Sequence, residues 1–219
     1  MGSIAVVVAG GPVRPPDPAH SFGAVVAVDG GLDAARAAGW RPTHVVGDFD
    51  SVSVDGALWA VGQEISVEHH PRDKDSTDTA LALALLDREG LLADADLLLI
   101  GGGTGAERLD HVIGTLAALG DPALAGAASV TACLGSTVVH VVHPGRPCAA
   151  AIGTGRTFSV LAIHGPCTGV HVEGARWPLV DAALTGTSTL GISNEAERGV
   201  VDLRVATGVL TVIVPEDAR

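Results

Sequence analysis

Lysine is almost missing from this chain of 219 residues: of its 13 basic side chains, all are arginine except Lys74. Acidic residues number 25, which leaves a formal net charge of -12 and excludes a surface that grips nucleic-acid phosphates through clustered Lys and Arg. A protein of this charge that handles phosphates has to use metal ions and backbone amides instead. Cysteine is scarce as well. Cys133, Cys148 and Cys167 are odd in number and form no CxxC pair, so neither a disulfide framework nor a zinc site is indicated. No apolar run reaches the ~18 residues of a membrane span. The stretch "IAVVVAG" near the N-terminus is too short for one and lacks the basic flank of a signal peptide, so the expectation is a soluble cytoplasmic protein with no membrane partner. Neither GxxxxGK[ST] nor a complete GxGxxG occurs, and P-loop and dinucleotide fingerprints are thereby excluded.

What the chain does contain suits a compact fold. Apolar residues make up 47%, glycines number 29 and the mean hydropathy is +0.39. From Ile4 to about Leu134, short β-branched runs ("IAVVV", "AVVAV", "THVV", "EISVEH", "ADLLLI", "SVTACL") alternate with Ala- and Leu-rich segments ("LDAARAAG", "GALWAVG", "TDTALALALLDREG", "ERLDHVIGTLAALG"). Strands that are apolar throughout, interleaved with helices, predict an α/β fold with a mostly parallel, Rossmann-like sheet covered on both faces. After His143 the pattern changes. "TFSVLAI", "TGVHVEG", "STLGISNE", "GVVDLRVAT" and "GVLTVIVP" follow one another with Gly or Pro turns and no helical period, which predicts a smaller antiparallel β-sandwich. The expected boundary lies near residue 145, giving units 1–145 and 146–219.

The unusual stretches all follow strands of the first unit: "AGGP", "DGG", "GDFDS", "PRDKDSTD" and "GGGTGAERLDH". In an open α/β sheet, ligands bind outside the carboxyl ends of the strands, so these loops converge on one edge. Glycines there, Gly11 and Gly102 among them, let a ligand approach backbone N–H groups. If the chain stays extended through "GDFDS", Asp48 and Asp50 project to one side about 6.5–7 Å apart while Phe49 points into the sheet. Two such carboxylates can share a hard cation; the alternative is an Asx turn in which they bond only local backbone. "STDTALALALLDREG" carries a hydroxyl N-cap at Ser76 or Thr77 and puts Asp78 in the first helical turn, facing the same edge. Mg²⁺ favours carboxylates plus substrate phosphate oxygens, and a lysine charge with helix N-terminal amides can hold the rest of a polyphosphate. Asp29, Asp48, Asp50, Asp78, Lys74, Asp75, Ser76 and Thr77 thus form a candidate metal–nucleotide site. For His69, His70 and His111, loop or capping roles are expected rather than metal binding.

In order, "DGG" (29–31), "GDFDS" (47–51), "KDSTD" (74–78), "RLDH" (108–111), "RWPL" (176–179) and "ISNE" (192–195) resemble the thiamine pyrophosphokinase family over nearly the whole chain. The resemblance implies that an N-terminal α/β domain binds ATP and Mg²⁺, that a C-terminal β-sandwich helps bind thiamine, and that a homodimer carries thiamine sites at its subunit interface. It further implies that the thiamine hydroxyl attacks the β-phosphorus of ATP, giving thiamine diphosphate and AMP. Carried onto this chain, it assigns Asp48, Asp50 and Asp78 to Mg²⁺ and the polyphosphate. Lys74, Asp75, Ser76 and Thr77 fall to the nucleotide, Arg108 and Asp110 to the reacting groups, and Trp177, Ser193 and Asn194 to thiamine. Asp110 is the candidate for taking the hydroxyl proton. One departure stands out: the family usually reads "TGGRxDH" where this chain reads "TGAERLDH", so the turn before Arg108 differs. A pterin pyrophosphokinase and a non-catalytic nucleotide-binding module are the alternative readings.

Overall fold

The computed structural model describes residues 2–8, 21–101 and 109–216. Gly11, Gly102 and Arg108 lie outside the described residues. Six strands form a parallel array in the order β4-β3-β2-β1-β5-β6: β1 (Ser3–Val8), β2 (Ala24–Val28), β3 (His44–Gly47), β4 (Ser66–His69), β5 (Asp96–Ile100) and β6 (Ser129–Leu134). The central strands are buried because helices cover both faces. Along β1, Ile4 and Val6 enter the core shared with α3 (Asp78–Arg88), while Ala5 and Val7 face the side of α1 (Gly31–Ala37). The helix α2 (Val54–Gly62) packs Ala60 on Val45 and Leu32, and α4 (Leu109–Ala118) lies beside α3 with no fully buried residue.

The change of character expected after His143 begins earlier, at a tight turn. Gly135 takes φ +62° between β6 and β7 (Thr137–Val142), and this two-residue connection returns the chain antiparallel to β6. β7 then pairs with β14 (Leu210–Val214), β14 with β9 (Thr157–Leu161), and β9 with β12 (Asn194–Glu195). The result is one ten-stranded sheet in the order β12-β9-β14-β7-β6-β5-β1-β2-β3-β4. A second sheet, β11 (Leu179–Leu184), β10 (Cys167–Glu173), β13 (Val200–Arg204) and β8 (Cys148–Ala151), packs on its antiparallel end. The sandwich therefore borrows one layer from the large sheet. Strand β7 serves two cores: Val139 and Val141 join the α/β core, whereas Val142 joins Phe158, Val172, Leu203 and Val212 in the sandwich core.

Of the expected strands, "STLGISNE" supplies only Asn194–Glu195. Two strands carried no clear signal, β8 ("CAAA") and β11 ("LVDAAL"), because alanine-rich stretches do not separate strand from helix by pattern. Among the described residues no helix is long and apolar enough to cross a membrane.

Candidate active site

The site is organised by two neighbouring strand ends that lock into each other. Asp29, just past β2, takes a left-handed backbone (φ +45°) and donates its N–H to the Val46 carbonyl at 3.0 Å. Its Oδ1 accepts the N–H of Phe49 at 3.1 Å, and the N–H of Gly30 bonds the Ser51 hydroxyl at 3.0 Å. Gly47 makes this fit possible: its φ is +147°, and a Cβ added there would meet Asp29 Oδ1 at 1.8 Å. "DGG" and "GDFDS" are thus two halves of one interlock.

The interlock changes the geometry expected for "GDFDS". The strand stops at Gly47, Phe49 adopts φ +65°, and the Asp50 N–H bonds Asp48 Oδ1 at 3.1 Å in an Asx turn. Strand alternation past Gly47 is therefore overturned, and with it the idea that Asp48 and Asp50 share one side by simple pleating. The acceptor on Asp29 bends the chain. Phe49 does turn inward, packing near Trp59 and stacking on the His69 ring with centroids 5.8 Å apart. Asp50 lies toward Arg72, 3.7 Å away, on the solvent side.

Asp48 instead belongs with Asp29, Lys74 and Asp78. Thr77 is the N-cap of α3, its hydroxyl accepting the Ala80 N–H at 3.2 Å, and this fixes Asp78 in the first turn. Lys74 Nζ lies 2.9 Å from Asp78 Oδ1, with side chains only 12% and 20% exposed. That carboxylate oxygen is shielded from water, and the Lys74 ammonium is the partner that compensates its charge. Burial disfavours the Lys74 charge, but Asp78, then Asp48 and Asp29, hold its ammonium above the ordinary lysine range. Burial drives the Asp29 carboxyl up to about 6 against the lowering effect of the Phe49 N–H, and the like charges of Asp78 and Asp48 add to the rise. The charges of three carboxylates thus act on one lysine, an excess of negative charge that suits a cation. Among the described residues no three metal-competent side chains form a ready cage. A cation here would draw most of its coordination from phosphate and water, as Mg²⁺ does, and the enclosed Asp78 oxygen, met by the Lys74 ammonium and by no backbone donor, fits that donor set.

The remaining site candidates fall in three places. Asp75, Ser76 and Thr77 are exposed along the loop into α3, and Asp110 is exposed in the first turn of α4. The parallel strand order reverses between β1 and β5, the switch point where such sheets bind ligands. His69 and His70 serve structure: His70 pairs with Glu68 at 2.8 Å, and Arg88 bonds the other Glu68 oxygen. Burial raises the Glu68 pKa, but these partners outweigh it and hold the carboxyl below its usual range.

Trp177, Ser193 and Asn194 sit at the far end of the ten-stranded sheet. Trp177 is 55% exposed and takes no part in the sandwich core, which removes a core-anchor role. The Arg176 guanidinium lies 5.0 Å over its ring and pairs with Glu195 at 3.4 Å. Asn194 is 4% exposed, and its polar atoms engage the backbone of Trp177 and Glu195. Its carboxamide is thus engaged chiefly by backbone. Sequence reasoning missed Arg72, Arg176 and Glu195, whose only signal was adjacency to the motifs "PRDK", "RWPL" and "ISNE". Between β3 and β12 lie eight strand steps, about 38 Å along the sheet at ~4.8 Å each.

Comparison with known proteins gives a consistent picture. Residues 19–127 match the family model for the thiamin pyrophosphokinase catalytic domain, and residues 140–210 match the model for the thiamin pyrophosphokinase vitamin B1 binding domain. No curated protein matches the sequence. Among solved structures, the fold resembles a thiamin pyrophosphokinase family protein from Enterococcus faecalis (TM-score 0.76, 23% identity, covering 98% of this chain and 99% of that one). It also resembles thiamine pyrophosphokinase from Bacillus subtilis (TM-score 0.75, 23% identity, 98% and 100% covered). A third, thiamin pyrophosphokinase from Geobacillus thermodenitrificans, has TM-score 0.72 and 25% identity over 98% of both chains.

Proposed function

Since this chain belongs to the thiamin pyrophosphokinase family and is thereby an enzyme that transfers pyrophosphate to thiamine, we propose that ATP is the donor and Mg²⁺ the metal. The observation that carries this reading is the gathering of Asp29, Asp48 and Asp78 around the single lysine at the carboxyl ends of parallel strands. Residues 1–145 then form the nucleotide unit and 146–219 the thiamine unit.

In this reading the thiamine hydroxyl oxygen bonds to the β-phosphorus as the bridge to the α-phosphate breaks, and AMP departs with the bridging oxygen. Such transfer needs in-line positioning and charge neutralisation more than covalent help from the protein. Lys74, held charged by Asp78, supplies a fixed positive point for the polyphosphate. Mg²⁺ bound by Asp48 and Asp78, with Asp29 beside them, would neutralise phosphate charge; Asp50 joins only where its contact with Arg72 opens. The exposed hydroxyls of Ser76 and Thr77, with Asp75, border the nucleotide; Gly11 and Gly102 are the proposed glycines of the nucleotide loops and Arg108 the proposed partner of the reacting groups, all three outside the described residues. Asp110 takes the hydroxyl proton. Trp177 offers the cationic thiamine an aromatic face, worth ~0.5–2 kcal/mol, with Ser193 and Asn194 in the same corner.

Eight strand steps, about 38 Å along the sheet at ~4.8 Å each, part β3, which Asp48 follows, from β12, where Asn194 bonds Trp177; this supports a site shared by two chains, since the thiamine hydroxyl has to touch the phosphate. Exposed Val180, Leu190 and Ile192 in the same C-terminal part of the chain offer apolar surface for the partner copy. The deciding experiment incubates the protein with ATP and Mg²⁺ plus either thiamine or hydroxymethyl-dihydropterin and follows AMP and the diphosphorylated product. Product from thiamine is expected; turnover of the pterin alone, or of neither, overturns the reading.

A further inference from the structure

An antiparallel ladder ends beside Trp177 in an unusual way. Ala175 bridges Ala196, and the Arg176 N–H bonds the Glu195 carbonyl at 2.8 Å. The next pair in that register is Trp177 with Asn194. There the rung is made by a side chain: Asn194 Nδ2 donates to the Trp177 carbonyl at 2.8 Å, and Asn194 Oδ1 accepts the Trp177 N–H at 3.2 Å. The same oxygen accepts the Glu195 N–H at 2.9 Å. A carboxamide carries a donor and an acceptor side by side, as a peptide group does, so it can replace one. Pro178 follows and has no N–H to continue the ladder. Ser193, left-handed at φ +58° with its N–H on the Ser159 hydroxyl at 3.1 Å, turns the chain so that residue 194 faces inward. The clasp is buried, yet the indole that it fixes is more than half exposed.

We propose that Asn194 is a positioning residue that serves thiamine through the backbone of Trp177 and does not contact the substrate. Immobilising an exposed aromatic in advance spares the ordering cost that binding would otherwise incur. The inference rests on the reading that Trp177 faces thiamine, so the test separates the two. Asn194→Asp keeps the shape of the side chain but turns the donor at the Trp177 carbonyl into an acceptor. Trp177→Ala, Asn194→Asp and the double variant are compared with the parent chain for KM of thiamine, KM of ATP and kcat. Asn194→Asp should raise the thiamine KM roughly tenfold and leave the other constants within about twofold. In the Trp177→Ala background, adding Asn194→Asp should change the thiamine KM by less than about twofold, since the residue it acts through is gone. An equal Asn194→Asp effect in both backgrounds overturns the inference alone, and so does no effect with Trp177 present. An unchanged KM in Trp177→Ala sinks the underlying reading as well. Should Asn194→Asp fold poorly, Asn194→Ala in a chain with Trp40→Phe and Trp59→Phe leaves one indole to follow. Acrylamide quenching of that indole should rise and its anisotropy fall; unchanged values mean that Asn194 does not hold it.

Discussion

Asp29→Asn should make the metal-free protein more stable at neutral pH while impairing catalysis. The Asp29 carboxyl stands at about 6 against an ordinary 3.8, because the fold partly buries it and sets Asp78 and Asp48 beside it. That difference corresponds to about 3 kcal/mol, and solvent screening of a half-buried group reduces this to roughly 1–2 kcal/mol. The sign follows from proton binding: the native state holds this proton more tightly than the unfolded chain. The associated stability is therefore present below about pH 4 and lost as the pH rises through about 6. The substituted asparagine carries no charge at any pH and keeps an oxygen for the Phe49 N–H. Parent and variant should melt together near pH 4, and at pH 7.5 the variant should melt roughly 2–8 °C higher, given ~2–4 °C per kcal/mol for a chain of this size. Scanning calorimetry from pH 4 to 8 in EDTA at low ionic strength measures this. A variant that is no more stable at pH 7.5, or a gap that does not grow with pH, refutes the electrostatic account of the cluster. Activity should fall despite the higher melting point, since the strain on Asp29 belongs to a site that expects a cation.

Asp48→Asn should lower kcat by at least ~100-fold with the fold intact, whereas Asp50→Asn, on the solvent side with Arg72, should cost much less; steady-state assays at saturating Mg²⁺ decide, and equal losses would restore the symmetric pair. Lys74→Met should weaken ATP binding by calorimetric titration without changing the affinity for thiamine alone, and unchanged ATP affinity together with unchanged kcat would make Lys74 a mere surface charge. Gly47→Ala drives a methyl into Asp29 Oδ1 at a backbone angle that alanine avoids, so denaturant titration should show a loss of about 1–3 kcal/mol. Mixing Asp48→Asn chains with Trp177→Ala chains should restore part of the activity through one intact shared site, and inactive heterodimers would mean that each chain builds its site alone.

Local pattern determined a great deal here. The alternation of apolar strands with Ala- and Leu-rich helices set the parallel array, the hydroxyls of Ser76 and Thr77 announced the start of α3, and the motif order carried the family. The strand, helix and cap signals, and each motif by itself, depend on residues within a few positions of one another, where side-chain period and capping act. Only the tertiary structure decided the rest. The Asp29 carboxylate, 20 residues away, bends "GDFDS" out of the extended form and sends Asp48 and Asp50 to different neighbours. The hydrogen bonds of the Asn194 amide to the Trp177 backbone come from a register between residues 17 positions apart, which "ISNE" alone does not show. The order of the ten strands sets Asp48 and Trp177 at opposite ends of one sheet, and strand order follows from long-range pairing that no local stretch of sequence records.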